Sequence, residues 1–243
     1  MREYIRLPKY QSIPDSSIKA EKLNDEFWKS QIFHHLLKFY KDDDFIELKK
    51  IITIERDRPR SQIEDVIKKY IRNYFNKNER FNLNGFIINR EPSSEGKLNG
   101  FYDFKFQHSN WKNKENLIPR YFSFECKNID NQNSSINEYV IVKRNKSGII
   151  HYDGGVYRYF NQKYAVEQNF GGMIGFILSG HQEILINKII TKINENSSND
   201  ENRSLSSIEI IRNSVNQNKN TFESIHLRDG ILFKLHHIFF DLN

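Results

Sequence analysis

The stretch FSFECKNI, residues 122–129, decides how the rest of the chain is read. In a β-strand, successive side chains point to opposite faces. Ser123, Glu125 and Lys127 therefore share one face, and Phe122, Phe124 and Cys126 share the other. A carboxylate and an ammonium two residues apart on an apolar strand are costly to bury. Either that face lines water, a metal or a ligand, or it is an exposed, salt-bridged surface. The segment FYDFKF, residues 101–106, repeats the arrangement, with Asp103 and Lys105 on one face and Phe104 and Phe106 on the other. Antiparallel pairing of the two strands can put Asp103 beside Glu125 at the end of a sheet. Neighbouring carboxylates repel unless a cation neutralises them or they share a proton.

Outward from these strands, the pattern is one of alternating helices and strands. Leu23, Phe27, Ile32, Leu36, Leu37 and Tyr40 predict a helix from Glu21 to about Tyr40, with those positions buried. Phe45 to Ile54 reads as helical or mixed. A firmer helix follows Pro59, where Ser61 and Glu64 match a capping box and Ile63, Ile67, Tyr70, Ile71 and Tyr74 mark its buried side. A strand is expected at Gly85–Arg90, then strands at 101–106 and 120–127 joined by a long polar connection. Asn128–Asn137 reads as loop, and Gly154–Glu167 as helix from the spacing of Val156, Tyr159, Phe160 and Tyr164. Met173–Leu178 reads as a buried strand, with Gly171 and Gly172 before it for a tight turn or close packing. Gln182–Asn194 reads as an amphipathic helix burying Ile184, Leu185, Ile189, Ile190 and Ile193. Glu195–Arg203 reads as an exposed loop, and Thr221–Leu227 with Ile231–Phe240 as a terminal hairpin. This order predicts an α/β fold with a mixed sheet flanked by helices. Residues 1–58 are expected to form a mainly helical extension packed on a core of 59–243.

Composition narrows the partners. The 243 residues are 37% hydrophobic and 14% aromatic, enough for a sizeable core in one elaborated domain or two small ones. A net charge of +6 leans toward a polyanionic partner, although the basic residues are scattered and also suit a solvated surface. No apolar run approaches the roughly 18 residues of a membrane span, and MREYIRLPKYQ lacks the apolar stretch of a signal peptide. Cys126 is the sole cysteine, so no internal disulfide or cysteine-based metal cluster forms, and a reducing, cytoplasmic setting is the default expectation.

Asp103 after a glycine-containing loop, followed by Glu125-Cys126-Lys127 on the next strand, resembles the PD-(D/E)XK nuclease superfamily, the restriction-endonuclease-like fold. Residues 60–180 carry the resemblance, in the order helix, three strands, helix, strand. Tyr102 stands where the family's nominal Pro precedes the Asp. The resemblance implies that Asp103 and Glu125 bind Mg²⁺, which Mn²⁺ can replace, and that Lys127 assists the attacking water. The main-chain carbonyl of Cys126 is a further candidate ligand, and Glu64 matches the family's additional Glu on the preceding helix, with Glu55 a weaker match. Lys105, Arg158, Lys163 and Arg228 are candidate phosphate-backbone contacts. The implied activity is endonuclease-like hydrolysis of DNA, with RNA an alternative polymer, in a homodimer or with a partner subunit, and with defence or restriction as an associated role. Two other readings stand beside it: a noncatalytic nucleic-acid-binding or assembly subunit, and a hydrolase of small phosphorylated molecules. His34, His35, Asp42–Asp44, His226, His236 and His237 read as structural or solvated residues rather than metal ligands, and Trp111 and Tyr139 as packing groups.

Overall fold

The computed structural model describes residues 16–58, 62–90, 93–94, 100–113, 117–144, 150–161, 163–195, 205, 207–215 and 217–243. Four helices come first: α1 (Ser16–Tyr40), α2 (Asp43–Arg56), α3 (Ile63–Lys77) and the single-turn α4 (Glu79–Leu83). Three strands follow, β1 (Phe86–Arg90), β2 (Phe104–Lys112) and β3 (Pro119–Ile129). Next come α5 (Asn133–Val140), a two-residue hairpin β4 (Lys143–Arg144) and β5 (Ile150–His151), and a 3₁₀ turn at Val156–Tyr159. The chain closes with β6 (Phe170–Ile177), α6 (Gln182–Glu195), β7 (Ser207–Arg212), β8 (Thr221–Arg228) and β9 (Ile231–Asp241).

Seven strands form one mixed sheet in the order β1-β2-β3-β6-β9-β8-β7. The outer pairs are antiparallel, whereas β3, β6 and β9 run parallel at the centre. Parallel neighbours need a crossover connection. The one from β3 to β6 carries α5, and the one from β6 to β9 carries α6. The α/β class with a helix-flanked mixed sheet is thus as expected. The terminal hairpin is present too, with β9 inserted between β6 and β8 rather than added at an edge.

Strand alternation separates two cores. Phe122, Phe124 and Cys126 meet Phe33, Leu36, Ile67 and Ile71 from the α1–α3 side. Ile129 and Met173 face Ile136, Leu185 and Ile189 from the α5–α6 side. Central β6 is buried along its whole length. A Cβ on Gly172 would lie 2.4 Å from the Phe124 ring, and one on Gly175 would lie 2.5 Å from both Ile129 and Phe239. Close packing, rather than a turn, accounts for Gly172.

Several local expectations are corrected. Leu23 and Phe27 on α1 and Ile184 on α6 are exposed, because the faces that dock are set by Ile32, Phe33, Leu36 and Phe39 and by Leu185, Ile186, Ile189 and Ile193. The polar stretch expected to be a loop is largely strand: β2 continues through Lys112, its polar side chains turned outward while Phe106, His108 and Trp111 stay buried. Asn133–Val140 is helix α5, not loop. The described residues of 154–161 and 163–167 make only the 3₁₀ turn and then irregular chain, with Tyr164 bonded across to Phe101 instead of stacking along a helix. Glu55 lies inside α2 and pairs with Arg58 at 2.5 Å. Ser61, and with it the capping box, falls outside the described residues. Gln62 is the N-cap of α3 and makes no side-chain cap bond, so Glu64 sits one residue too early for a box. Most of Glu195–Arg203 also lies outside the described residues. Among the described residues, no helix is long and apolar enough to cross a membrane.

Candidate active site

The β2–β3 register sets the site. Phe104 faces Phe124 and Lys105 faces Ser123, which brings Asp103, just before β2, to the stretch of β3 that carries Glu125. The ladder ends there: the Asp103 N–H still donates to the Phe124 carbonyl at 3.1 Å, and its side chain then caps the freed strand edge. Asp103 Oδ2 accepts the Cys126 N–H at 2.7 Å. A strand residue presents its N–H and C=O on the same edge. The Cys126 carbonyl therefore lies on the Asp103 side of β3.

Asp103 Oδ1 accepts from Lys68 Nζ at 2.9 Å. Lys68 projects from α3 beside the buried Ile67 and Ile71, and the same ammonium lies 3.2 Å from Glu64 and 3.0 Å from Asp65. Glu64 and Asp65, one turn earlier on the helix, are its i−4 and i−3 neighbours. Burial, and after it the Glu125 charge, push the Asp103 carboxyl up to about 7 against the pull of Lys127 and Lys68. Burial works to lower the Lys68 ammonium, but Asp103 and Glu64 outweigh it and hold the group above its ordinary value.

Glu125 is 1% exposed and densely partnered. Its Oε1 lies 2.5 Å from Lys127 Nζ and 2.7 Å from Arg158 Nη1, and its Oε2 lies 3.0 Å from the Tyr164 hydroxyl. Burial alone would raise this carboxyl, but the Lys127 and Arg158 charges bring it below its usual range. The opposing effects on Lys127 resolve the other way: burial disfavours its charge, Glu125 outweighs burial, and the ammonium is held above its ordinary value. Arg158 also reaches Asp153 at 3.1 Å, and Lys163 reaches Asp153 at the same distance.

The predicted residues thus fall into groups. Asp103, Glu125, Lys127 and Glu64 converge at the end of β2 and β3, Glu64 through Lys68. Arg158 joins them as a direct partner of Glu125, and Lys163 one step behind through Asp153. Lys105 lies on the Ser123 side of β2, with its ammonium 3.9 Å over the Tyr121 ring. Arg228 stands apart: it donates to the carbonyls of Tyr159 at 3.1 Å, Ala165 at 2.8 Å and Gln168, and so ties down the loop that carries Tyr164. Sequence reasoning missed Lys68, Asp153 and Tyr164. The i,i+4 spacing of Glu64 and Lys68 was a usable signal for the first; nothing local marks Asp153 or Tyr164.

The donors here are oxygens, from Asp103, Glu125, Glu64 and the Cys126 carbonyl, which is the ligand chemistry Mg²⁺ takes. A cation would also offset the Glu125 repulsion that adds to burial in lifting Asp103, and in donor chemistry the residues fit such an ion. Among the described residues, however, no three His, Cys, Asp or Glu groups stand as a ready-made cation cage. Protein cations occupy the intervening positions. No family model matches the chain, and no match was found among the curated proteins or the solved structures.

Proposed function

We propose that the chain is a divalent-metal-dependent phosphodiesterase acting on nucleic acid, with DNA the preferred polymer, and that its core is of the restriction-endonuclease-like kind. One observation carries this reading: Asp103 and Glu125 come together where the β2–β3 ladder ends, Asp103 accepting the Cys126 N–H at 2.7 Å and Glu125 lying 2.5 Å from Lys127. The path from α3 through antiparallel β1-β2-β3 and across α5 to parallel β6 supports it, because PD-(D/E)XK nucleases run in that order.

Asp103, Glu125 and the Cys126 carbonyl would hold Mg²⁺, or Mn²⁺ in its place, with Glu64 as a further ligand. Such an ion supplies Lewis-acid polarisation of the scissile phosphate. The chain's own residues do the rest. Lys127 stays charged at neutral pH, so it donates a hydrogen bond rather than accepting a proton, and it counters negative charge developing on the phosphate. Arg158 shares the Oε1 of Glu125 with Lys127 while Tyr164 holds Oε2, and the Cys126 N–H holds the Oδ2 of Asp103. Both oxygens of Glu125 and the Oδ2 of Asp103 are thereby oriented before substrate arrives.

The test is incubation of supercoiled plasmid, linear duplex, single-stranded DNA and RNA with Mg²⁺ or Mn²⁺, beside Lys127→Ala. Metal-dependent cleavage is expected, with a loss of about 10²- to 10³-fold in a folded Lys127→Ala variant. Turnover of small phosphate esters with no polymer cleaved would instead identify a small-molecule hydrolase. A second reading has its own support: protein donors already cover the oxygens of Glu125 and Asp103, as in a binding subunit that no longer cuts. Salt-sensitive nucleic-acid binding with no cleavage under any metal would favour it.

A further inference from the structure

The charges around the site are unevenly matched. Glu125 meets two cations of its own, Lys127 and Arg158. On the α3 side, one ammonium serves three carboxylates: Lys68 lies 2.9 Å from Asp103, 3.2 Å from Glu64 and 3.0 Å from Asp65. These oxygens come together around a positive centre supplied by the chain itself. Asp103 belongs to the sheet, whereas Glu64 and Asp65 belong to the same helix as Lys68.

We propose that Lys68 is a built-in competitor for the divalent cation, its ammonium standing in for the ion between Asp103 and Glu64 until the ion displaces it. This rests on the metal-dependent reading above and places the unmet negative charge of the site on the Asp103–Glu64 side rather than at Glu125. Three features make the exchange workable. The lysine stem is flexible. The Asp65 side chain is 57% exposed and lies at i−3, so the ammonium can release Asp103 and keep a partner at the solvent edge. The Cys126 N–H stays on Asp103 Oδ2, so the carboxylate keeps its orientation while Oδ1 changes partner. Ion binding and lysine release are then one equilibrium, and the resting site stays closed until divalent ion is abundant.

The experiment is Mn²⁺ titration of the full chain, read by calorimetry and by loss of the free-ion paramagnetic resonance signal. It compares wild type with Lys68→Met, Lys68→Gln and Lys69→Met. Lys69 is exposed on the same helix and makes an equal charge change away from the three carboxylates. Circular dichroism identifies the folded variants; Lys68→Gln keeps a hydrogen-bonding side chain in case the apolar replacement unfolds α3. Removing a competing charge in direct contact is expected to tighten Mn²⁺ binding on the order of tenfold to a hundredfold. Lys69→Met should stay within about twofold of wild type, as a charge separated from the site by solvent does. Equal or weaker binding in folded Lys68 variants, with wild type still binding, overturns the competitor role and leaves the metal site intact. No Mn²⁺ binding by wild type or any variant overturns the metal reading itself.

Discussion

Around Glu125, formal charge answers formal charge; around His237, neutral groups hand one hydrogen bond to the next. The second cluster begins at the Tyr139 hydroxyl, 2.9 Å from His237 Nδ1, and continues from His237 Nε2 to Ser224 Oγ at 2.9 Å. Ser224 Oγ lies 2.7 Å from His226 Nε2, and His226 Nδ1 lies 3.2 Å from the Leu205 carbonyl. One proton arrangement satisfies every link. Tyr139 donates to His237, His237 to Ser224, Ser224 to His226, and His226 to the Leu205 carbonyl, with each imidazole neutral. Burial enforces neutrality, lowering His226 to about 4 and His237 well below its ordinary value. Both clusters are buried and polar, yet only the one at Glu125 carries an imbalance, in the raised Asp103. Burial of polar groups is common to both clusters; a carboxyl raised by burial and a neighbouring carboxylate is what sets the first apart.

The contrast can be broken in order of expected effect. Arg158→Met strips one cation from a carboxylate that is 1% exposed, and should cost about 3 to 5 kcal/mol by urea denaturation, as breaking a buried pair does. A loss below about 1 kcal/mol would mean that Lys127 and Tyr164 suffice to hold Glu125. Ser224→Ala removes the central link of the neutral chain and leaves two ring nitrogens unpartnered. It should cost about 3 kcal/mol, at roughly 1 to 3 kcal/mol per orphaned group, while leaving the proposed nucleic-acid cleavage unchanged.

Acid should act on the neutral chain as well. His226 titrates near 4 in the folded protein and near 6.5 in the unfolded chain, so between those values the unfolded state binds the extra proton. Stability is then fully present above the unfolded value and falls as pH drops from about 6.5 toward 4. From pH 7 to pH 5 this one group accounts for about 2 kcal/mol. Denaturation of wild type and His226→Phe at both pH values checks it; an acid loss of equal size in the variant would exclude His226 as its source. Arg58→Ala is the smallest change: its partner Glu55 is one helical turn away and the Arg58 side chain is 64% exposed, so stability should move by less than about 0.5 kcal/mol.

What was legible in the sequence follows the range of the forces involved. Strand β3 was readable because polar and apolar residues alternate along it, and α3 and α6 because their apolar residues recur at helical spacing. Helix α5 was missed because NSSINEYV is short and polar, and its helix is held by the burial of Ile136, Tyr139 and Val140 against other elements. The outer half of β2 was missed because Gln107, Ser109 and Asn110 carry little strand preference alone; pairing of Gln107 with Ile87 and Tyr121 and of Lys112 with Pro119 carries the strand across an irregular stretch at Ser109 and Asn110. The tyrosines of residues 154–167 kept a helical spacing but found partners elsewhere: Tyr159 bonds the Gly172 carbonyl and Tyr164 that of Phe101.

The sequence by itself determined the alternating faces of 122–129, the placing of Glu125 and Lys127 together, and the amphipathic stripes that require a sheet covered on both sides. Those are properties of a few consecutive residues, and backbone geometry alone converts them into direction. Only the tertiary structure decided that Lys68 comes to Asp103, that Arg158 and Tyr164 close on Glu125, and that His226 and His237 share Ser224. Each of these joins segments distant along the chain or across strands, and no local periodicity encodes which side chain a strand end will meet.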